Sequence, residues 1–369
     1  MSDIPAHSST DSINILCLDG DGIGPEITAA TRRVLDAVDQ RFGLNLQFTT
    51  HEVGFAAMRS SGSTCPDAVI AAAKCVDGIV IGPVSTNDYP PPAEGGVNPS
   101  AALRKQLDLY ANIRPAKSFP GLPPRVGDHI DLVIARENTE GFYADRSMFM
   151  GSGEFMPTED LAVSVRKITR QASTRIAQKA FALAAMRRRK VTVVHKANVF
   201  RISDGLFLEA VRAVRDQFPD IEYEEQIVDA MAALLIRDPS QFDVIVTSNM
   251  YGDILSDEAS EIAGSLGLAA SLNAGDEFAM AQAQHGSAPE LAGQDKANPA
   301  SLMGSAAMLL RWLGERKANP VFIEAGNAID AAISALVSSP STRTADLGGD
   351  LGTTGFTDAM VVHLARNKG

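Results

Sequence analysis

Two aspartates four residues apart are the most informative chemical feature of this 369-residue sequence. In FDVIVTSNMYGDILSDEAS, residues 242–260, an apolar run is followed by Asp253 and Asp257. Helical spacing places both carboxylates on one face, where like charges destabilise a helix by roughly a few tenths of a kcal/mol. A bound divalent cation would offset this repulsion. The alternative interpretation makes Asp253 a helix N-cap and Asp257 a solvated surface residue.

Four further segments accompany this aspartate pair. They are RENTEGFY (136–143), VHKAN (194–198), VDAM (228–231) and HGSAPELAGQDKANP (285–299). From about Ile13 to the C-terminus, the sequence closely resembles the β-decarboxylating dehydrogenases, which act on isocitrate, isopropylmalate or homoisocitrate. This resemblance implies the oxidative decarboxylation of a 3-carboxy-2-hydroxy acid.

The composition fits a globular enzyme of two domains, because a chain of 369 residues with 45% hydrophobic residues exceeds the usual size of one domain. A net charge of -12 disfavours nucleic-acid and anionic-membrane partners, since it repels phosphate. Cys17, Cys65 and Cys75 form no CxxC pair and are expected to be small buried residues in a reducing cytoplasm. The polar first dozen residues are not expected to form a secretory signal, and no membrane span is expected.

Short apolar runs alternate with longer helical patterns, which predicts an α/β fold with a largely parallel sheet. The predicted strands are 13–18, 78–84, 130–135, 191–194 and 243–247. The predicted helices include 25–42, 169–186, 202–218 and 299–313.

The resemblance implies a two-domain fold like that of isopropylmalate dehydrogenase. Residues 1–108 and 264–369 would form the dinucleotide-binding domain, and residues 109–263 would bind metal and substrate and form the dimer contact. An arm near residues 145–165 would clasp a second subunit. The expected assembly is therefore a homodimer with sites shared between subunits.

The segment LDGDGIGPE (18–26) places three glycines between a strand and a helix, as a phosphate-binding loop would. However, Pro25 stands where the third fingerprint glycine is required, and no partner acid is evident at the required distance. Pro25 instead suits the first turn of a helix. The sequence therefore does not predict a typical Rossmann fold.

The cofactor site is predicted in the loop 285–299. An acid at Glu290 can accept hydrogen bonds from a ribose 2′-hydroxyl but would repel a 2′-phosphate, so NAD is favoured over NADP. NADP-using relatives carry a Lys-Tyr pair at the positions of Glu290 and Leu291. Two alternatives remain, in which Arg343 reaches the same pocket or Glu290 is a plain surface acid. The predicted cofactor-binding residues are His285, Gly286, Ser287, Ala288, Pro289, Glu290, Leu291 and Asn298.

The segment NPSAALRKQ predicts a helix that binds an anion. Asn98 suits an N-cap and Pro99 the first turn, so Ser100 and Arg104 would lie one turn apart on one face. The helix N-terminus and Arg104 would then donate to the same anion. The resemblance assigns the substrate carboxylates to three arginines. The predicted substrate-binding residues are Asn98, Ser100, Arg104, Arg114, Arg136 and Asn198.

The resemblance also assigns the catalytic groups. Lys196 would accept the proton of the substrate hydroxyl, and Tyr143 would reprotonate the carbon left by CO₂. Mg²⁺ or Mn²⁺ would be held by Asp253, Asp257 and an Asp229 contributed by a second subunit. Without the resemblance, Lys196 would be an ordinary lysine at a strand end. Because all five residues are present, a catalytically silent regulatory subunit is the less favoured alternative.

The identity of the acid depends mainly on the start of the predicted anion-binding helix. Isopropylmalate enzymes carry two leucines at the positions of Ser100 and Ala101. Homoisocitrate enzymes often carry an arginine at the position of Ala101. At the positions of Asn98 and Ser100, isocitrate enzymes carry serine and asparagine, respectively. The same two polar residues are therefore present here in exchanged order. The segment 292–299 also resembles isocitrate enzymes, whereas 108–118 resembles homoisocitrate enzymes. Isocitrate is the predicted substrate; isopropylmalate is the runner-up, followed by homoisocitrate, tartrate or D-malate.

Overall fold

The computed structural model describes residues 12–143 and 153–366, and in these ranges a ten-stranded sheet carries helices on both faces. The strands are β1 (Ile13–Leu18), β2 (Leu46–His51), β3 (Gly78–Ile81), β4 (Ala111–Lys117), β5 (Asp131–Glu137), β6 (Glu154–Thr158), β7 (Leu161–Ser164), β8 (Lys190–His195), β9 (Glu222–Ile227), β10 (Val244–Thr247), β11 (Leu272–Ala274) and β12 (Ala279–Gln282). The helices are α1 (Gly24–Phe42), α2 (Phe55–Ser61), α3 (Asp67–Ala73), α4 (Pro99–Gln106), α5 (Arg170–Ala185), α6 (Ser203–Arg215), α7 (Val228–Arg237), α8 (Asn249–Ala263), α9 (Ala300–Arg316), α10 (Pro320–Ser338) and α11 (Thr353–Arg366).

The large sheet has the order β2-β1-β3-β12-β11-β4-β5-β10-β8-β9. Its neighbouring strands are parallel except where β11 pairs with β12 and β4 and where β4 pairs with β5. Two parallel groups therefore flank a central antiparallel segment. This arrangement confirms the predicted mostly parallel α/β fold and differs from the usual Rossmann strand order.

All five predicted strands are present as β1, β3, β5, β8 and β10, because these strands are buried and read as continuous apolar runs. The sequence pattern did not identify the remaining strands of the sheet. β2 and β9 lie at its edges and are half exposed, β11 has 3 residues, and β4 carries polar side chains among its apolar ones. Each of these departures weakens the hydrophobic signal that marks a buried strand.

The N-terminal ends of α4 and α8 fix the orientation of several predicted site residues. In α4 the Asn98 side chain accepts a hydrogen bond from the Ala101 amide at 3.0 Å, which confirms the predicted N-cap. In α8 the N-cap is Ser248, so Asp253 lies inside the helix and its interpretation as an N-cap is wrong. A Cβ atom on Gly252 would lie 2.6 Å from Cγ of Arg136. Glycine therefore allows α8 to pack closely against this arginine.

The two faces of the sheet are covered by different helices. We call the face covered by α3, α4, α7 and α8 the front face, and the face covered by α1, α5, α6, α9, α10 and α11 the rear face. Four hydrophobic cores result, one on each face of each half of the sheet. Apart from Phe119, the cores draw either on residues 13–109 and 272–364 or on residues 110–263. The predicted domain boundaries agree with this grouping and stay a prediction.

The predicted arm is only partly covered, because residues 144–152 lie outside the described residues. The described part is an antiparallel pair, β6 and β7, whose residues are all exposed. The side chains of Phe155 and Met156 are 55% and 63% exposed. Apolar side chains this exposed indicate a surface that another element covers. Its role as a dimer clasp stays a prediction.

Two expectations from composition need correction. Cys17 and Cys65 are buried and all three cysteines are free, but Cys75 is exposed. The expectation that no segment resembles a membrane span is also wrong, because α10 is long and apolar enough by length and composition. In this structure α10 packs into the rear core through residues such as Ile329 and Ile333.

Candidate active site

Two arginines and two aspartates form a charged cluster on the front face, where β4 and β5 pass beneath α8. Arg114 Nη1 lies 3.2 Å from Asp253 Oδ1 and 3.4 Å from Asp257 Oδ1. Arg136 Nη1 also pairs with Asp253 Oδ1. We call Arg114, Arg136, Asp253 and Asp257 the arginine–aspartate cluster. It brings together residues predicted to bind substrate and residues predicted to bind metal.

The cluster arginines are buried and held by neighbouring polar side chains. Arg114 Nε donates to Asn112 Oδ1 at 2.6 Å, and Arg114 Nη1 donates to Ser256 Oγ at 2.7 Å. Arg136 Nε donates to Asn249 Oδ1 at 3.0 Å. Burial, together with the neighbouring Arg136, lowers the pKa of Arg114 to about 10. The Arg114 guanidinium therefore remains charged at neutral pH, and hydrogen bonds fix the orientation of both arginines.

Asp253 is the shared partner in this cluster. Burial disfavours its charged form, but the charges of Arg136 and Arg114 outweigh burial and lower the pKa of Asp253. The Tyr143 hydroxyl donates to Asp253 Oδ2 at 3.0 Å. The charge of Arg104 contributes to the same lowering, so this third predicted arginine also lies near Asp253. The predicted proton donor Tyr143 thus lies beside an acid that is predicted to bind metal.

The α4 wall of the site centres on Gln282 at the end of β12. Ser100 Oγ donates to Gln282 Oε1 at 2.9 Å, and Arg104 Nη2 donates to the same oxygen at 3.0 Å. The predicted common face of Ser100 and Arg104 is confirmed. The Asn98 amide is used as the helix cap, so its predicted contact with substrate remains a prediction. Sequence reasoning missed Gln282, because a glutamine at a strand end carries no distinctive signal.

Lys196 and Asp229 form a second charged group. The Lys196 ammonium pairs with Asp229 Oδ1, and this hydrogen bond lowers the pKa of Asp229. The Asp229 side chain is 67% exposed. The Lys196 amide donates to Asp204 Oδ2 at 2.5 Å, which holds the start of the turn that contains Asn198. The predicted substrate contact of Asn198 remains a prediction.

The predicted metal ligands do not meet within one chain. Among the described residues, no group of three or more His, Cys, Asp or Glu side chains could hold a metal ion. Asp253 and Asp257 nevertheless supply hard carboxylate oxygens from one face of α8, and their side chains are 37% and 54% exposed. This donor chemistry fits Mg²⁺ or Mn²⁺ once further oxygen ligands come from outside this chain.

The predicted cofactor loop is an exposed turn on a fixed base. Ser287 Oγ lies 2.7 Å from Ser85 Oγ, and the Ser287 carbonyl accepts from the Ile23 amide at 2.8 Å. Ala288 has a φ of 36°, which is unusual for a residue with a side chain, and a 3-10 turn follows at Pro289–Leu291. Burial lowers the pKa of His285, so this imidazole is neutral at pH 7.

The glycine segment near the N-terminus supports this cofactor loop. A Cβ atom on Gly22 would collide with the Ser287 carbonyl. The Asp21 carboxylate accepts from the Phe55 amide at 2.8 Å and the Ser85 amide at 3.0 Å. Sequence reasoning did not single out Asp21 or Ser85. The segment therefore joins three loops through backbone and carboxylate contacts, in agreement with the rejection of a Rossmann phosphate loop.

Two residues near the loop are engaged in local structure. Asn298 accepts from the Ala300 amide at 3.0 Å and donates to Asp346 at 3.0 Å. Its side chain therefore stabilises the start of α9, and its cofactor contact stays a prediction. Arg343 donates to the carbonyls of Val337 at 2.6 Å and Gly121 at 2.5 Å. These hydrogen bonds hold the Arg343 guanidinium at backbone carbonyls and disfavour the alternative in which it reaches the ribose pocket.

Comparison with known proteins decides the family. The isocitrate/isopropylmalate dehydrogenase family model matches residues 14–360. The chain belongs to this family. A 3-isopropylmalate dehydrogenase of Sulfurisphaera tokodaii is 41% identical, covering 92% of this chain and 95% of the relative. An isocitrate/homoisocitrate dehydrogenase of Thermus thermophilus is 40% identical, covering 95% and 98%. The crystal structure of isocitrate dehydrogenase from Methylococcus capsulatus superposes with a TM-score of 0.84 at 37% identity, covering 96% and 99%.

Family membership sets the reaction type. This isocitrate/isopropylmalate dehydrogenase family protein is a decarboxylating hydroxyacid dehydrogenase, and its fold matches solved isocitrate dehydrogenases. The family typically uses NAD or NADP and a divalent metal. Similar relatives divide between isopropylmalate and isocitrate/homoisocitrate enzymes at nearly equal identity. Overall similarity therefore leaves the substrate to the residues of the site.

Proposed function

We propose that the protein catalyses the NAD-dependent oxidative decarboxylation of isocitrate to 2-oxoglutarate. The observation that carries this proposal is the polar α4 wall, where Ser100 and Arg104 share the Gln282 oxygen. A substrate carboxylate can accept hydrogen bonds from this wall. An isopropyl group would bury the same polar side chains without accepting a hydrogen bond from them, which is costly.

The three site arginines bind and orient the substrate. Arg114 and Arg136 already have buried, fixed guanidinium groups, so little side-chain entropy is lost when a carboxylate binds. Arg104 reaches the same region from α4 and stands beside the Ser100 hydroxyl. Together they hold the acid with its reacting carbon facing the acids of α8. Orientation of this kind supplies much of the rate enhancement in such sites.

Two residues move protons in the proposed reaction. Lys196 accepts the proton of the substrate hydroxyl as the alcohol is oxidised, and Tyr143 returns a proton to the carbon that loses CO₂. Asp253 and Asp257, with Asp229 of a second subunit, would hold the divalent metal. When bound, the metal acidifies the hydroxyl and stabilises negative charge on oxygen. Lys196 must exchange its pairing with Asp229 for contact with substrate.

Two features support the cofactor and the assembly. Glu290 is exposed, and within the described part of the chain its carboxylate makes no hydrogen bond or ion pair. It is therefore available to a ribose 2′-hydroxyl and would repel a 2′-phosphate. The pairing of Lys196 with Asp229, rather than with the acids of α8, supports a homodimer in which this pair completes the site of the partner.

A specific observation favours isopropylmalate as the second candidate. A cavity of about 670 Å³ lies beside α4, lined by Tyr89, Pro91, Val97, Ala101 and other residues of the same loop and helix. Its walls are largely apolar and would accommodate a branched alkyl substituent. The similar S. tokodaii protein named 3-isopropylmalate dehydrogenase adds to this alternative.

A turnover panel tests the proposal directly. Isocitrate, homoisocitrate, isopropylmalate, D-malate and tartrate should be compared with NAD and Mn²⁺, and then with NADP. Isocitrate with NAD should give the highest kcat/KM. The double variant Ser100→Leu/Ala101→Leu should shift the preference toward isopropylmalate, whereas Gln217→Leu, at an exposed position outside the site, should not. Wild-type preference for isopropylmalate would refute the substrate assignment.

A further inference from the structure

A cavity of about 320 Å³ lies at the junction of the two halves of the sheet, lined mainly by rear-face elements and also by the C-terminal end of α8. Strands β4 and β11 form its floor, and helices α5 and α9 form its walls. We call it the rear crevice and define it by six apolar lining residues. These are Ile113, Pro115, Leu183, Leu272, Met308 and Trp312. Its volume lies within the range of small-molecule sites, roughly 300–1,000 Å³, and such sites favour the junction between two halves of a protein.

Most charged groups at the mouth of the rear crevice are already paired. Arg187 contacts Asp131 at 2.8 Å, and Arg311 contacts Asp330 at 2.9 Å. Lys117 lies 3.8 Å from the same Asp330 carboxylate. These pairs leave little unbalanced charge on their part of the rim.

Lys179 on the α5 wall differs from these residues. Within residues 12–143 and 153–366 it makes no hydrogen bond or ion pair, although it lines the crevice. Glu315 on the α9 wall is exposed and would repel a second negative charge. An apolar cavity with one available cation is complementary to a ligand that has an apolar body and a single anionic head.

We propose that the rear crevice binds a small monoanionic amphiphile, with its apolar body between α5 and α9 and its carboxylate at Lys179. The first eleven residues of the chain, MSDIPAHSSTD, are mostly polar and do not match this cavity. The occupant is therefore a separate small molecule rather than the N-terminal segment.

The rear crevice shares strand β4 with the arginine–aspartate cluster. Ile113 and Pro115 line the crevice, and Arg114 lies between them on β4. Because side chains alternate along a strand, Arg114 points to the front while its neighbours point to the rear. The crevice also separates α5 from α9, which cover different halves of the sheet. A ligand here alters turnover without competing with substrate.

The test uses the full-length protein and decanoate below its micelle concentration. Trp312 is the single tryptophan and lines the crevice, so its fluorescence reports binding. Decanoate should change the emission saturably, with one molecule per chain by calorimetry. Decanol should bind more weakly, because it lacks the charge. The variant Lys179→Gln should lower decanoate affinity by about three- to tenfold and leave decanol affinity unchanged.

A second variant tests the apolar wall. Leu183→Glu places a carboxylate one helical turn from Lys179, where it pairs with that lysine and repels an anion. Decanoate binding should be lost. Ala185→Glu adds the same charge on the same helix, at an exposed position six residues from Lys179, and should bind decanoate like wild type.

Several outcomes would overturn the assignment: no saturable binding, equal affinity for decanoate and decanol, or unchanged binding in both Lys179→Gln and Leu183→Glu. With whichever substrate the panel identifies, decanoate should change kcat in wild type but not in Leu183→Glu. Competition with substrate would place decanoate in the front site instead. The binding measurements need no turnover, so their failure is distinguishable from failure of the proposed reaction.

Discussion

The arginine–aspartate cluster and the Lys196–Asp229 pair are both groups of predicted site residues, but they differ in completeness. In the cluster, Arg114 and Arg136 are 6% and 2% exposed, and Asp253 has several partners within the chain. In the pair, Asp229 is 67% exposed and, among the residues that the structure describes, its carboxylate pairs with Lys196 alone. One chain therefore builds the cluster, whereas the pair is free to serve a surface outside the chain. This difference is what a site shared across a dimer requires.

The largest expected effect is at Asp253. Asp253→Asn should lower turnover by about a thousandfold or more, roughly 4 kcal/mol in the barrier, because the proposed metal site loses a charged ligand while NAD still binds. Steady-state kinetics over a Mn²⁺ titration and NAD binding by calorimetry measure both parts. Glu261→Gln, an exposed acid on the same helix, should retain activity. Near-normal turnover of Asp253→Asn at low metal would remove the cluster from the metal site.

Subunit mixing tests the division between cluster and pair. Lys196→Ala and Asp253→Asn should each be inactive, but their hybrid dimer should recover about half of the wild-type activity, because one of its two sites carries neither lesion. Activity is measured after co-refolding with subunit exchange verified by differential tags.

The matched control is a mixture of two other single variants, Asp253→Asn and Asp257→Asn. Both lesions lie in the cluster of α8, so each site of the hybrid carries one of them and activity should not return. If the first mixture stays inactive despite verified exchange, each chain builds its own site and the interpretation of the pair is wrong.

A change in the cofactor loop should leave both charged groups intact. Glu290→Lys with Leu291→Tyr should raise the ratio of NADP to NAD kcat/KM by about tenfold or more, since repulsion of the 2′-phosphate is replaced by attraction. The metal dependence should not change. Glu277→Lys, at an exposed acid outside the loop, is the control for altered net charge. An unchanged ratio would place the ribose pocket elsewhere.

The smallest effect expected is on stability. Asp253→Asn should lower the free energy of unfolding by about 1–2 kcal/mol, because it removes a charged partner from two buried arginines, while partial exposure of Asp253 limits the loss. Asp229→Asn should leave the thermal midpoint unchanged. If both variants lowered stability equally, the proposed difference in burial between the arginine–aspartate cluster and the Lys196–Asp229 pair would be wrong.

The pH dependence of this stability difference has a defined sign. The pKa of Asp253 is lower in the folded state than the ordinary value of 3.8. Its contribution is therefore present above that value and is lost as pH falls through the lowered folded pKa. Wild type and Asp253→Asn should converge in stability at low pH, as measured by denaturant unfolding from pH 7 downward.

The sequence by itself determined the features that depend on neighbouring residues or on long motifs. Helical periodicity is local, so it predicted the cap at Asn98 and the shared face of Ser100 and Arg104. It also predicted that Asp253 and Asp257 lie on one face of a helix. Buried strands such as β10 were predicted because both of their faces are apolar. The family followed from several long motifs in a fixed order.

Only the tertiary structure decided which distant side chains became partners. Gln282 meets Ser100 across 182 positions of sequence, and Arg114 meets Ser256 across 142 positions. Contacts between separate elements also produce the pairing of Lys196 with Asp229 and the hydrogen bonds from Arg343 to backbone carbonyls. The rear crevice arises in the same way. Hydrophobic periodicity specifies which face of an element is buried, but not which polar group it meets there, because that depends on how the whole sheet and its helices pack.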